Sequence, residues 1–415
     1  MSACRDASAS VAAPTGQVTE DGRRVLLNVS TLMKGGALQV ATAVIAQAAS
    51  DHESSEWQFA LSEPVAKELP AFGVHPEVDS RFHIFERSPS RNRDARKRLL
   101  ELERAISPDL VFTLFGPAYV KFRHLHLCGV ADGWVTHSNF ASFTASGNMW
   151  DSAKLCARIL HKAWWWKHAD YWWTEVEIAK EGLVSRLHVD EDRVFVVSNT
   201  VGPQFDPTRR TAEFSSSGTA QILCLSAYYP HKNLELVPLV AKELTLICAD
   251  MRFEFLLTLP EDLREAHSIL ECARRLGVES HVRNLGPIPV SEIPDLYATS
   301  NLAFLPTLLE GFSAVYAESM CTGLPLVTTD FRFARDVCAD GAVYFKPKDA
   351  SSAARQIARL LQKSDEWEAQ VKRGRNIFAS LPSPDEKWRL QKDLAHRLPS
   401  THRGIGSRPA NNRRG

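Results

Sequence analysis

The sequence lacks several things that would each announce a function. It has no uninterrupted apolar run of about 18 residues, the length a membrane-crossing helix needs, and residues 1–22 lack the basic-then-apolar order of a signal peptide. The expectation is a cytoplasmic protein. There is no surplus of charge, with 49 Lys and Arg against 49 Asp and Glu, and no basic motif of a nucleic-acid reader, so no nucleic-acid partner is expected. Eight cysteines are scattered without a C-x-x-C pair, and most lie in apolar runs such as Ile222-Leu-Cys-Leu225. They read as small buried hydrophobes in a reducing compartment, not as a zinc or disulfide framework. No Asp-x-Asp motif sits in a loop suited to a divalent ion, so no metal site is expected.

What is present is a globular composition, 44% hydrophobic and 24% charged over 415 residues, more than one core usually serves. Residues 1–22 and 400–415 have the composition of disordered tails. Between them, β-rich runs alternate with amphipathic helix-length segments. One series has strands at 24–29, 57–61, 82–85, 110–114, 124–130, 171–174 and 194–197, with a helix at 37–50. A second has strands at 221–226, 253–257, 281–285, 302–305, 324–328 and 342–345. Its helices fall at 233–246, 263–276, 293–298, 313–320 and 350–361. The pattern predicts an α/β protein of two Rossmann-like, doubly wound domains, 23–205 and 206–380, joined near 200–215. A terminal helix within 381–399 is expected to pack back across both. Ligands of such sheets bind beyond the carboxyl ends of the strands, so the expected site is the cleft between the domains.

The most specific passage runs from Pro306 to Val327. There a strand end, Glu310-Gly-Phe-Ser-Ala-Val315, and a helix carrying Glu318 precede another strand. Seven residues separate Glu310 from Glu318, so both carboxylates can address one extended ligand, and a carboxylate accepts hydrogen bonds from vicinal hydroxyls. The plainer alternative is a helix cap and a solvated helix residue.

The neighbouring residues change that balance. Pro230-His-Lys-Asn-Leu234, Asn284-Leu-Gly-Pro-Ile288, Ile293-Pro-Asp-Leu-Tyr297, the Glu310 to Val327 passage and Gly341-Ala-Val-Tyr-Phe-Lys-Pro347 follow in one order. Over most of 23–380 the chain resembles the family 4 retaining glycosyltransferases of GT-B fold. The resemblance implies transfer of a sugar from a nucleotide-sugar donor to a saccharide or lipid-linked saccharide, in surface polysaccharide or glycolipid synthesis, without a metal or other cofactor. It implies that Glu318 binds the donor ribose, Glu310 sits beside the transferred sugar and Lys232 neutralises the diphosphate. Gly35 and Gly36, after the first strand, match the family's glycine-rich phosphate loop. Gly311, Phe312, Ser313, Ala314 and Val315 would complete the donor site with backbone amides.

Two departures stand out. The family commonly has an arginine about five residues before the phosphate lysine, but this chain reads Leu225-Ser-Ala-Tyr-Tyr-Pro-His-Lys232. His231 or Lys34 could supply the second charge. The family's acceptor-side histidine has no clear counterpart, and Asp132, His126 and His137 are the candidates, with Asp132 taken as the catalytic one. The departures leave two alternatives open: an inactive donor-binding partner subunit, or a sugar-nucleotide epimerase of the same fold. A phosphorylase would use free phosphate.

Seven of the ten tryptophans lie between Trp134 and Trp173, including Trp164-Trp-Trp166 flanked by basic residues. Three consecutive helical residues cannot share one face. This segment is a candidate for contact with the inner face of a membrane, against the alternative that it packs on the sheet. Residues 87–104 form a second basic segment of helical pattern, which could attract anionic lipid or an acidic saccharide.

Overall fold

The computed structural model describes residues 23–33, 35–147, 149–208 and 218–399. The expected tails, Lys34 and part of the expected linker lie outside these residues.

The first half builds a parallel sheet from β1 (Val25–Asn28), β2 (Gln58–Ser62), β3 (Phe82–Phe85), β4 (Leu110–Thr113), β5 (His126–Gly129), β6 (Tyr171–Thr174) and β7 (Val194–Val196). Their order is β3-β2-β1-β4-β5-β6-β7. The second half adds β8 (Ala220–Cys224), β9 (Phe253–Leu257), β10 (Val282–Asn284), β11 (Leu302–Leu305), β12 (Leu326–Thr329) and β13 (Val343–Phe345), in the order β10-β9-β8-β11-β12-β13. The expected α/β class and doubly wound pattern hold. Central strands such as Val25–Asn28 and Leu302–Leu305 are buried at every residue, as strands covered on both faces must be. Register sets large apolar residues side by side: Leu27 pairs with Phe59 on one side and Phe112 on the other.

Helices cover the first sheet: α1 (Gly36–Ser50), α2 (Glu63–Glu68), α3 (Arg93–Ile106), α4 (Gly133–Thr136), α5 (Phe140–Ala145), α6 (Met149–Trp166) and α7 (Glu177–Gly182). The second sheet carries α8 (Leu236–Ile247), α9 (Arg264–Arg275), α10 (Ile293–Thr299), α11 (Ala314–Thr322), α12 (Arg332–Cys338), α13 (Ala350–Gln362) and α14 (Ser364–Phe378), and α15 (Pro384–Arg397) follows.

Helix α15 starts at a capping box in which Ser383 and Glu386 bond each other's backbone N–H. It packs on the first domain: the Trp388 and Trp57 rings meet edge to face at 5.4 Å, and Trp388 Nε1 donates to Asp51 Oδ2 at 2.9 Å. Arg23 Nη1 donates to Ala395 O and Leu398 O, both at 2.6 Å, and so satisfies carbonyls that the helix end leaves open.

The tryptophan triplet is divided by its helix. Trp166 is buried and donates from Nε1 to Gly129 O at 3.3 Å, whereas Trp164 is 54% exposed. The packing alternative holds for Trp166, and Trp164 faces away from the sheet because residues two apart on α6 point about 200° from each other. Among the described residues no helix is long and apolar enough to cross a membrane.

Candidate functional site

The site forms where loops at the carboxyl ends of the two sheets meet. After β8 the chain turns through Pro230–Lys232, and Asn233 takes a left-handed φ of 55°. Asn233 Nδ2 donates to Pro306 O at 3.2 Å, and Leu308 N donates to His231 O at 2.7 Å. These bonds stitch the loop after β8 to the loop after β11. They bring Lys232 Nζ to 2.5 Å from Glu310 Oε1, with both side chains largely buried. Two residues 78 apart thus become an ion pair. An ammonium and a carboxylate held at this depth need each other, since removing either leaves an uncompensated charge.

Glu318 lies on α11, two turns beyond Glu310. Tyr297 on α10 donates its hydroxyl to Glu318 Oε2 at 2.8 Å. Burial pushes the Glu318 carboxyl up to about 7, against the opposing pull of the Tyr297 hydrogen bond. Oε1 is left for a further partner. Tyr297 belongs to the Ile293 to Tyr297 stretch, but nothing in that stretch by itself tied it to Glu318. The link arises because α10 and α11 pack together.

Helix α11 begins at Ala314, and Ser313 before it has φ 56° and ψ 108°, a backbone shape that favours glycine. This turn leaves the start of α11 exposed at Ala314, where the first amides of the helix have no partner within it. Across the cleft, Gly35 caps α1 with φ 85°, and a Cβ at Gly35 or Gly36 would meet nothing within 4 Å. That helix start is open and carries no acidic residue in its first turn.

The first domain touches the second at this same place. His137 Nε2 donates to Glu310 O at 2.6 Å, and its Nδ1 lies 2.8 Å from Thr136 Oγ1. Burial lowers the His137 pKa, so the ring is a neutral donor near pH 7. Asn139 Nδ2 donates to Leu308 O at 2.7 Å. Gly133 and Gly311 permit this approach, since a Cβ on Gly133 would stand 3.2 Å from Glu310 O and one on Gly311 3.1 Å from Ala131 O.

Asp132 caps α4 by accepting from Trp134 N at 3.0 Å and pairs with Lys162 Nζ at 2.6 Å. Its carboxylate is therefore engaged by a cation, although it borders the cleft. His126 lies elsewhere: it is buried inside β5 with Nε2 2.9 Å from Thr113 Oγ1 and Nδ1 unpartnered, and burial drives its pKa to about 3. It is a core histidine. His231 stacks on Tyr229 and meets the Trp134 ring edge to face at 5.5 Å. Burial lowers its pKa to about 4, so it holds no charge near neutral pH to replace the missing arginine. Lys34, the other candidate, lies outside the described residues. The structure thus gathers Lys232, Glu310, Glu318 and the start of α11 on one wall of the cleft, with Gly35, Gly36, Asp132 and His137 on the other domain. It sets His126 apart.

Residues 206–377 match the family described as glycosyl transferases group 1. The chain is 22% identical over 192 residues to the O-antigen chain mannosyltransferase RfbU of Salmonella typhimurium, covering 45% of this chain and 49% of that protein. It is 26% identical over 143 residues to the D-inositol 3-phosphate glycosyltransferase of Corynebacterium urealyticum, covering 30% and 34%. The matches thus span half or less of those relatives. A glycosyltransferase from Rickettsia africae superposes with a TM-score of 0.65 at 16% identity, covering 89% of this chain and 97% of that one. HepE from Anabaena, solved with UDP and glucose, gives 0.66 at 13%, covering 91% and 100%. The whole chain has the GT-B fold, and residues 206–377 within it match the glycosyl transferases group 1 family.

Proposed function

We propose that this protein transfers a sugar from a nucleotide-sugar donor to a saccharide or lipid-linked saccharide acceptor, with retention at the anomeric carbon, in surface polysaccharide or glycolipid synthesis. One observation carries the reading. Lys232 and Glu310, far apart in sequence, meet as a shielded ion pair in the loop that leads into α11, the helix that carries Glu318. Donor phosphate would take the Lys232 ammonium from Glu310, which frees that carboxylate to face the sugar. Glu318 would accept from the ribose hydroxyls while Tyr297 fixes its orientation. The amides of Ala314 and Val315 and the start of α1 at Gly35 and Gly36 would hold the remaining phosphate charge. These groups supply the charge stabilisation of the leaving diphosphate without a divalent ion. The leaving phosphate can itself take the acceptor proton, so Asp132 need not leave Lys162 to act as a base. Names of relatives in O-antigen assembly support the polysaccharide setting.

The same reading extends to a membrane surface. Phe140, Met149, Trp150, Leu160 and Trp164 are exposed along α5 and α6, interspersed with Lys154, Arg158 and Lys167. Aromatic and basic side chains on one helix suit an anionic lipid surface that holds a lipid-linked acceptor.

Thermal-shift titration with UDP, GDP and ADP tests the donor site, since binding raises stability by RT ln(1 + [L]/Kd). One nucleotide should stabilise the wild-type protein, and Lys232→Ala and Glu318→Ala should abolish the shift. Glu310→Gln should keep nucleotide binding and lose turnover, which EDTA should leave unchanged in the wild type. No shift with any nucleotide would sink the reading, and turnover surviving in Glu310→Gln would point to a binding subunit or another chemistry.

A further inference from the structure

The loop that carries Glu310 is held by side chains, and two of them belong to the other domain. Residues 306–313, between β11 and α11, form neither helix nor strand, so their carbonyls need partners from elsewhere. Asn233 Nδ2 donates to Pro306 O at 3.2 Å, and the Thr329 hydroxyl donates to Thr307 O. Thr307 Oγ1 lies 3.2 Å from Leu309 O. The carbonyls of Leu308 and Glu310 are met from the first domain, by Asn139 Nδ2 at 2.7 Å and His137 Nε2 at 2.6 Å.

Both donors are built into their own domain before they reach across. Asn139 caps α5, where its Oδ1 accepts from Ser142 N at 2.9 Å, so Nδ2 is the atom left to face the second domain. His137 closes α4, its N donating to Gly133 O at 2.9 Å. A carbonyl only accepts, so Nε2 carries the proton of the neutral His137 ring, and Nδ1 is left to accept from the Thr136 hydroxyl 2.8 Å away. Between them Ser138 is gripped by Arg186, in the turn after α7. Arg186 Nη1 donates to Ser138 Oγ at 2.9 Å and Nη2 to Ser138 O at 3.0 Å. Residues 137–139 are thus a clasp whose middle is fixed to the first domain and whose ends hold the backbone around Glu310 in the second.

In the transferase reading above, donor phosphate draws the Lys232 ammonium away from the Glu310 carboxylate. That side chain then loses its partner, and bonds to the main chain are what keep it aimed. His137 bonds the carbonyl of Glu310 itself, and Asn139 that of Leu308 two residues before it. We propose that His137 and Asn139 are positioning residues for sugar transfer, fixing Glu310 through its backbone from the opposite wall of the cleft. This role rests on the transferase reading, and both residues act through Glu310.

The full chain is incubated with UDP-glucose, GDP-mannose and ADP-glucose, and release of nucleoside diphosphate is followed for wild type, His137→Ala, His137→Gln and Asn139→Ala. Glutamine places an amide nitrogen near the position of the histidine Nε2, so it can keep the bond that alanine loses. The alanine variants should lower kcat about tenfold to a hundredfold, the cost of a reacting group displaced by about an ångström, with KM for the nucleotide sugar within about twofold of wild type. His137→Gln should recover most of that loss. Hydrogen exchange of the amides in 306–313, read by mass spectrometry on the same samples, should be faster in both alanine variants and restored in His137→Gln. Unchanged kcat, a rise in KM alone, or no recovery with glutamine overturns the role. Should the wild type turn over none of the three sugars, exchange alone decides: equal exchange in wild type and His137→Ala overturns the clasp, and faster exchange reversed by glutamine supports it. Thermal shift by UDP, GDP or ADP reports separately on the donor site and should persist in all three variants, so a failed donor reading and a failed clasp give different results.

Discussion

Replacing Glu318 by glutamine should make the second domain more heat-resistant at pH 8 and change it little at pH 5. Burial lifts the carboxyl of Glu318 from 4.5 to about 7 in the folded protein, whereas the unfolded chain keeps the ordinary value. Folding therefore favours the protonated acid. The stability this group permits is fully present below the unfolded value and is lost as pH rises through 7. At 1.36 kcal/mol per pKa unit, the loss between pH 5 and pH 8 is about 2–3 kcal/mol. Glutamine is neutral throughout and keeps an oxygen to accept from the Tyr297 hydroxyl, so the variant avoids that loss. A domain of roughly 150–250 residues moves by about 2–4 °C per kcal/mol, so the gap between variant and wild type should widen by about 5–10 °C over this range. Scanning calorimetry of both proteins at steps from pH 5 to pH 8 measures it. Every other titrating group is common to the two chains and cancels in the comparison. Parallel melting curves, with a gap that does not depend on pH, would refute the claim that burial raises the pKa of Glu318.

Two further outcomes follow from particular residues. Ser313→Gly should raise the melting temperature by about 2–4 °C, because φ 56° with ψ 108° costs a non-glycine residue about 1 kcal/mol; a lower melting temperature would show that the serine side chain contributes more than its backbone costs. Trp150→Ala and Trp164→Ala, both at exposed positions, should leave melting unchanged and each reduce sedimentation with anionic vesicles about tenfold or more, the effect of withdrawing one large apolar side chain from lipid. Undiminished sedimentation would remove the membrane reading.

The sequence by itself determined the order of the thirteen strands described and most of the longer helices, but not α2, α4, α5, α7, α12 or α14. Strands 82–85, 171–174, 253–257 and 302–305 fall where their β-branched and aromatic runs put them, and the remaining strand ends differ by a few residues. The reason is local: a strand covered on both faces must be a short apolar run bounded by turn residues, and a covering helix must repeat its apolar positions every three to four residues. The Glu310 to Val327 passage was legible for the same reason, since strand, loop and helix are contiguous there. What depends on loops far apart in the chain was not legible. The Lys232–Glu310 pair exists because the loops after β8 and β11 are neighbours in the sheet order. The role of Tyr297 needed the packing of α10 on α11, and the fate of the histidines needed their depth: His126 is sealed in a strand, His231 is discharged by its surroundings, and His137 crosses to the other domain to bond Glu310 O. Burial and pairing set charge states, and both are properties of the assembled chain. Periodicity along the sequence therefore decided the fold, while tertiary structure alone decided which charged groups face one another across the cleft.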